Sequence, residues 1–142
     1  MGVTISSKNK SIDLGCGGFL RLRTKIAELA GADIGEHYKK LNKAPIFDEE
    51  ERQKFFDKYD KKILEIDEKY KGEMTDILIF LYASDCKAEI PVEMCKKIYE
   101  IIKDYDDDIL YGYCGRPDCA TFKDFKELVK DCIDNECIME WY

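Results

Sequence analysis

The chain has 142 residues, a formal net charge of −7, and 45% hydrophobic against 37% charged residues. That length and balance predict a single globular domain over residues 1–142. The acidic excess excludes direct nucleic-acid binding and an anionic membrane surface, because both need a basic face. A local basic pocket, or a protein partner with a basic surface, stays open.

In chain order, VTISSKNKSIDL reads as a β-hairpin. Val3 and Ile5 alternate with polar neighbours, Lys8-Asn9-Lys10 turns, and Ile12 and Leu14 alternate again. Gly15, Gly17 and Gly18 break the strand, and from Phe19 the period becomes helical through Leu22, Ile26 and Leu29 to a stop at Gly31. Asp33 starts a short helix through Leu41, and Lys43-Ala44-Pro45 breaks it. Asp48 then caps a long charged helix whose apolar stripe is Phe55, Phe56, Tyr59, Ile63, Ile66 and Tyr70. Gly72 separates this from the most apolar helix, around Ile77, Leu78, Phe80 and Leu81. Pro91 sits at a first helical position, and Val92, Cys95, Ile98 and Tyr105 make the stripe that follows. After a loop over residues 104–119, Asp118 starts a last helix carrying Phe122, Phe125, Leu128, Val129 and Cys132. CIMEWY returns as a strand beside the hairpin. The expected fold class is α+β: an N-terminal β-hairpin joined by a C-terminal strand into a small antiparallel sheet, packed against five or six helices.

No run reaches the roughly 18 apolar residues of a membrane span, and MGVTISSKNK lacks an apolar signal region. A cytoplasmic location is therefore expected. Gly2 superficially fits a lipidation pattern and is more simply the start of a strand. The seven cysteines form an odd set, expected to be reduced.

The glycine cluster GCGGF joins a strand to a helix, where unpaired N–H groups and a positive helix end can hold an anion. It is neither a dinucleotide fingerprint nor a phosphate loop, and a strand-to-helix corner needs glycine for backbone reasons alone. The corner is the simpler reading. The ligand reading adds Arg21 and Arg23 against phosphate, and Phe19 for stacking. The loop Tyr111-Gly112-Tyr113-Cys114-Gly115-Arg116 supplies two more aromatics and a cation that would close over a ring and a phosphate. The candidate ligand-binding set is Gly17, Gly18, Phe19, Arg21, Arg23, Tyr111, Tyr113 and Arg116, and it requires the two segments to be adjacent.

Other constellations carry less. Cys114-x4-Cys119 and Cys132-x4-Cys137 are loosely spaced for zinc, and Cys132 and Cys137 are not expected to point together from one helix. Cys95 and Cys132 read as small buried hydrophobes. The one histidine, His37, has no local nucleophile partner and reads as a surface or boundary residue. Asp85, Lys87 and Glu89 alternate as in a calcium loop, but Lys87, Ile90 and Lys96 stand where that loop needs a ligand, a glycine and a glutamate. No metal, no cofactor and no catalytic residue is expected.

Three segments together resemble a family of small uncharacterised proteins of bacteria and their phages. The shared pattern is Gly17-Gly18-Phe19 with Arg23 and Ile26-Ala27, then Leu81, Ser84-Asp85-Cys86, Glu89-Ile90 and Cys95, then Cys132 and an apolar end over Ile138 to Trp141. The chain departs from it at Cys16, where tyrosine is common, and at Lys87-Ala88, where Asp-Gly is common. The resemblance implies a phage or mobile-element origin, with the host cytoplasm as its place of action. The family's members are uncharacterised, so the resemblance brings little function of its own; with that origin, the candidate ligand-binding set reads as a non-enzymatic counter-defence protein that sequesters a nucleotide-derived small molecule. The alternative is an acidic inhibitor or adaptor that blocks a basic surface of a host protein through Asp48–Glu51 and Asp104–Asp108. Homo-oligomerisation is compatible with either.

Overall fold

The computed structural model describes residues 2–84, 86–106, 108–111 and 120–142. The elements are β1 (Gly2–Ser6), β2 (Ser11–Gly15), α1 (Cys16–Ala30), α2 (Ala32–Lys39), a 3-10 turn (Lys40–Lys43), α3 (Glu49–Lys69), α4 (Thr75–Tyr82), β3 (Ala88–Ile90), α5 (Val92–Ile102), α6 (Phe122–Asp134) and β4 (Met139–Trp141). The fold is α+β. Its antiparallel sheet has the order β2-β1-β4-β3 and packs against six α-helices among the described residues.

The hairpin forms because its alternation puts Val3, Ile5 and Leu14 on one buried face, with Val3 opposite Leu14 and Ile5 opposite Ile12. On the other face Thr4 donates to Asp13 at 2.8 Å. Ser7 N–H to Lys10 carbonyl, 2.8 Å, closes the turn. Asp131 of α6 pins that turn, accepting from the Ser7 hydroxyl at 2.6 Å and the Asn9 N–H at 2.8 Å. β4 returns beside β1, with Ile5 opposite Trp141, as the apolar end of the sequence predicts.

Several boundaries differ from the sequence expectation. β3 pairs with β4 in a segment for which the sequence reading assigns no strand, and this edge strand is too short for period-2 alternation to register. α1 begins at Cys16, so Gly17 and Gly18 lie within its first turn instead of ahead of it. α2 stops at Lys39 and tightens into a 3-10 turn. Pro91 is the N-cap residue of α5, one position earlier than expected. α6 begins at Phe122, because Thr121 and Asp124 form a reciprocal capping box; Asp118 lies outside the described residues. Asp48 caps α3 as expected, accepting from the Glu50 and Glu51 N–H groups at 3.0 and 3.1 Å.

Buried side chains from the sheet and the helices form one cluster. Its centre is Trp141, whose ring meets Phe19 edge-on at 5.1 Å and Phe80 at 5.8 Å. α4 contributes Ile77, Leu78, Phe80 and Leu81, the four residues its sequence picks out. α3 is less buried than its stripe implies: only Tyr59 and Ile66 are enclosed.

Candidate functional site

The glycine corner and Tyr111 are adjacent, and what meets there is main chain. The Gly15 N–H donates to the Tyr111 carbonyl at 3.2 Å, while the Tyr111 N–H donates to the Ala120 carbonyl at 2.9 Å. A Cβ on Gly18 would stand 1.5 Å from the Tyr111 oxygen. Gly18 is therefore required by the close approach of the Tyr111 backbone. A Cβ on Gly17 would meet nothing within 4 Å. The Tyr111 carbonyl thus lies against α1 at Gly18 and accepts from Gly15 just ahead of the helix.

Two of the expected ligand contacts point inward instead. Phe19 is buried against Trp141. Arg23, 6% exposed, lays its guanidinium over the Phe19 ring at 4.4 Å from the centroid. Its Nη1 donates to the carbonyls of Phe80 at 3.2 Å and Ala83 at 2.8 Å, at the end of α4. The Trp141 indole N–H donates to the Ser84 carbonyl at 2.8 Å just beyond. The aromatic followed four residues later by arginine is thus an internal stack that closes the end of α4. The Tyr111 side chain is also buried. Tyr113 and Arg116 lie outside the described residues.

Arg21 faces solvent, and its Nη2 donates to the Leu110 carbonyl at 3.5 Å. Beside it opens a cleft of about 460 Å³ whose lining includes Leu20, Arg21, Lys25, Lys39, Ile109 and Tyr111. Lys25 and Lys39 both pair with Glu28. The hydrogen bond from Lys39 holds the Glu28 carboxyl below its ordinary range. Arg21 makes no ion pair among the described residues.

The acidic segments are differently placed. Asp48 to Glu51 are exposed at the start of α3, and just ahead of them Ile46 is 76% and Phe47 99% exposed. Ile46 and Phe47 thus place two consecutive exposed apolar side chains directly ahead of the carboxylates. Asp106, by contrast, pairs with Lys126. Asp107 lies outside the described residues.

Cys95 and Cys132 are buried, as expected. Contrary to expectation, Cys132 and Cys137 do come together. The chain reverses through Glu136 at φ 50, and the Cys137 N–H returns to the Cys132 carbonyl at 3.0 Å. The neighbouring Cys95 thiol, and then burial, push the Cys132 thiol up. No group of three His, Cys, Asp or Glu side chains is arranged to hold a metal among the described residues.

His37 is more enclosed than a boundary residue, at 4% exposed. It stacks on Tyr59 with centroids 3.8 Å apart, and its Nε2 lies 3.0 Å from the Tyr59 carbonyl. Because a carbonyl only accepts, Nε2 carries the proton and the neutral ring leaves Nδ1 as an acceptor. Nδ1 has no partner among the described residues. Burial lowers the His37 pKa, and Lys40 and Lys62 add to that. Nearby the Tyr59 and Tyr82 hydroxyls meet at 2.8 Å, and burial pushes Tyr82 up to about 12. Asp33 ties α2 to the end of α3. The Lys69 ammonium at 2.8 Å, then the Tyr70 hydroxyl at 2.8 Å, hold its carboxyl down at about 2.

Sequence reasoning passes over Ile46-Phe47 because two apolar residues in a break carry no period. It also passes over the surroundings of His37. Phe55, Lys58, Tyr59 and Lys62 are legible as one helical face, but Lys40 arrives from another element. Comparison with known protein families, with curated proteins and with solved structures finds no match for this chain.

Proposed function

We propose that the protein is a non-enzymatic binding protein that blocks another protein, using the edge formed by Ile46, Phe47 and the acidic start of α3. The observation that carries this reading is the 99% exposure of Phe47, with Ile46 beside it and four exposed acidic residues following. A large ring on a rim of carboxylates suits a partner pocket that is apolar inside and edged with lysine or arginine. The net charge of −7 supports fast association with such a surface. The resemblance to small bacterial and phage proteins favours a host protein as the partner, and counter-defence as the purpose.

A second reading keeps the nucleotide-derived ligand. Its support is the cleft of about 460 Å³ beside Arg21 and Tyr111, where Arg21 is a cation without a carboxylate partner among the described residues. It is the narrower of the two, because Phe19 and Arg23 are enclosed in the core.

A pull-down with three baits separates them: wild type, Phe47→Asp, and Arg21→Glu. Capture of one host protein by wild type and Arg21→Glu, but not by Phe47→Asp, is the expected result. Capture unaffected by Phe47→Asp would overturn the blockade reading. Calorimetric heat with a cyclic or ADP-ribose-type nucleotide, abolished by Arg21→Glu, would move the function to the cleft.

A further inference from the structure

The α2–α3 side holds a second opening, of about 300 Å³, lined by His37, Lys40, Phe55, Lys58, Tyr59 and Lys62. It brings three lysines and no carboxylate to one place in a chain with 30 acidic residues and 23 basic ones. Lys40 and Lys58 make no ion pair among the described residues, and Lys62 reaches only Glu65, at 3.7 Å on the exposed helix face. The aromatic part is ordered: Phe55 stacks on Tyr59 at 5.8 Å and 23°, and Tyr59 stacks on His37 at 21°.

We infer that this opening binds a small organic anion bearing an aromatic ring, an aryl phosphate or aryl carboxylate. The ring would pack against Phe55 and the Tyr59–His37 stack, and the anionic group would meet the ammonium groups of Lys40, Lys58 and Lys62. Lysines on flexible stems suit an anion that they approach as point charges. The Nδ1 of His37, buried and without a partner among the described residues, becomes a donor when the ring is protonated, the form that a nearby anion favours. The charges facing that ring are Lys40 and Lys62, which disfavour its protonation, and Asp60, which favours it. A bound anion adds to the Asp60 side of that balance.

His37 is the single histidine, so its ring signals in a ¹H–¹³C spectrum need no assignment. Phenyl phosphate should shift them saturably at millimolar concentration and raise the pH midpoint of the ring. Inorganic phosphate should bind about tenfold more weakly or worse for lack of the ring, and phenol likewise for lack of charge. Lys58→Glu with Lys62→Glu, both at exposed positions, should weaken phenyl phosphate by about tenfold or more with the melting temperature retained. No saturable shift with phenyl phosphate, equal binding of inorganic phosphate, or full binding by the folded double variant would each overturn the assignment.

Discussion

The Phe19–Arg23–Trp141 cluster and the His37–Phe55–Lys58–Tyr59 face use the same ingredients, rings beside cations, and reach opposite outcomes. Arg23 is fixed between two rings and two carbonyls at the end of α4, inside the core. Lys58 stands exposed on α3, beside the part-buried Phe55 and the enclosed Tyr59 and His37. An aromatic with a basic residue one turn away is therefore not in itself a binding motif. What differs is where the cation lies: Arg23 is enclosed with its rings by α4 and β4, whereas Tyr59 and His37 are enclosed and Lys58 beside them stays in solvent.

That difference is open to mutation. The largest effect should come from Arg23→Ala, which leaves the Phe80 and Ala83 carbonyls without their buried cation. A loss of about 3 kcal/mol in urea denaturation is expected, against less than about 0.5 kcal/mol for Lys58→Ala. Equal losses would break the contrast. Next, Thr121→Ala removes the capping box of α6, on the enclosed side, and should cost about 1 kcal/mol by the same measurement.

The pH dependence sharpens the comparison on the α2–α3 side. His37 is held neutral in the folded protein, below its ordinary value of 6.5, while the unfolded chain protonates it normally. Below pH 6.5 the unfolded state thus binds more protons, and stability falls as pH falls toward the folded midpoint. Urea midpoints between pH 8 and pH 5 should show this slope in wild type and a flatter one in His37→Gln. The smallest effect on folding should be that of Phe47→Ser. The ring is already in water, so the melting temperature should stay unchanged while capture of a partner is lost.

The α+β class, the hairpin, the returning strand and the buried set of α4 are legible in the sequence because each rests on a period that a core imposes. β3 is not, since three residues on an edge show no period. The candidate site is legible only in part. The adjacency of the glycine corner and Tyr111 holds, but the inward turn of Arg23 depends on carbonyls 57 and 60 residues away, at the end of α4 and just beyond it, which no local pattern encodes. The exposure of Phe47 escapes for the converse reason: nothing in a sequence marks a large apolar residue that the fold leaves uncovered.

The glycine corner seats the protein's own main chain at Tyr111, and Phe19 and Arg23 serve the fold. Paired stability curves for Gly17→Ala and Gly18→Ala test this seating most directly. Both sites lie in the first turn of one helix, where alanine is intrinsically the better residue. Gly17→Ala should leave stability unchanged or raise it slightly, whereas Gly18→Ala, forced against the Tyr111 carbonyl, should lower it by about 2 kcal/mol or more. Equal tolerance of both substitutions would mean that the Tyr111 main chain does not require glycine at position 18.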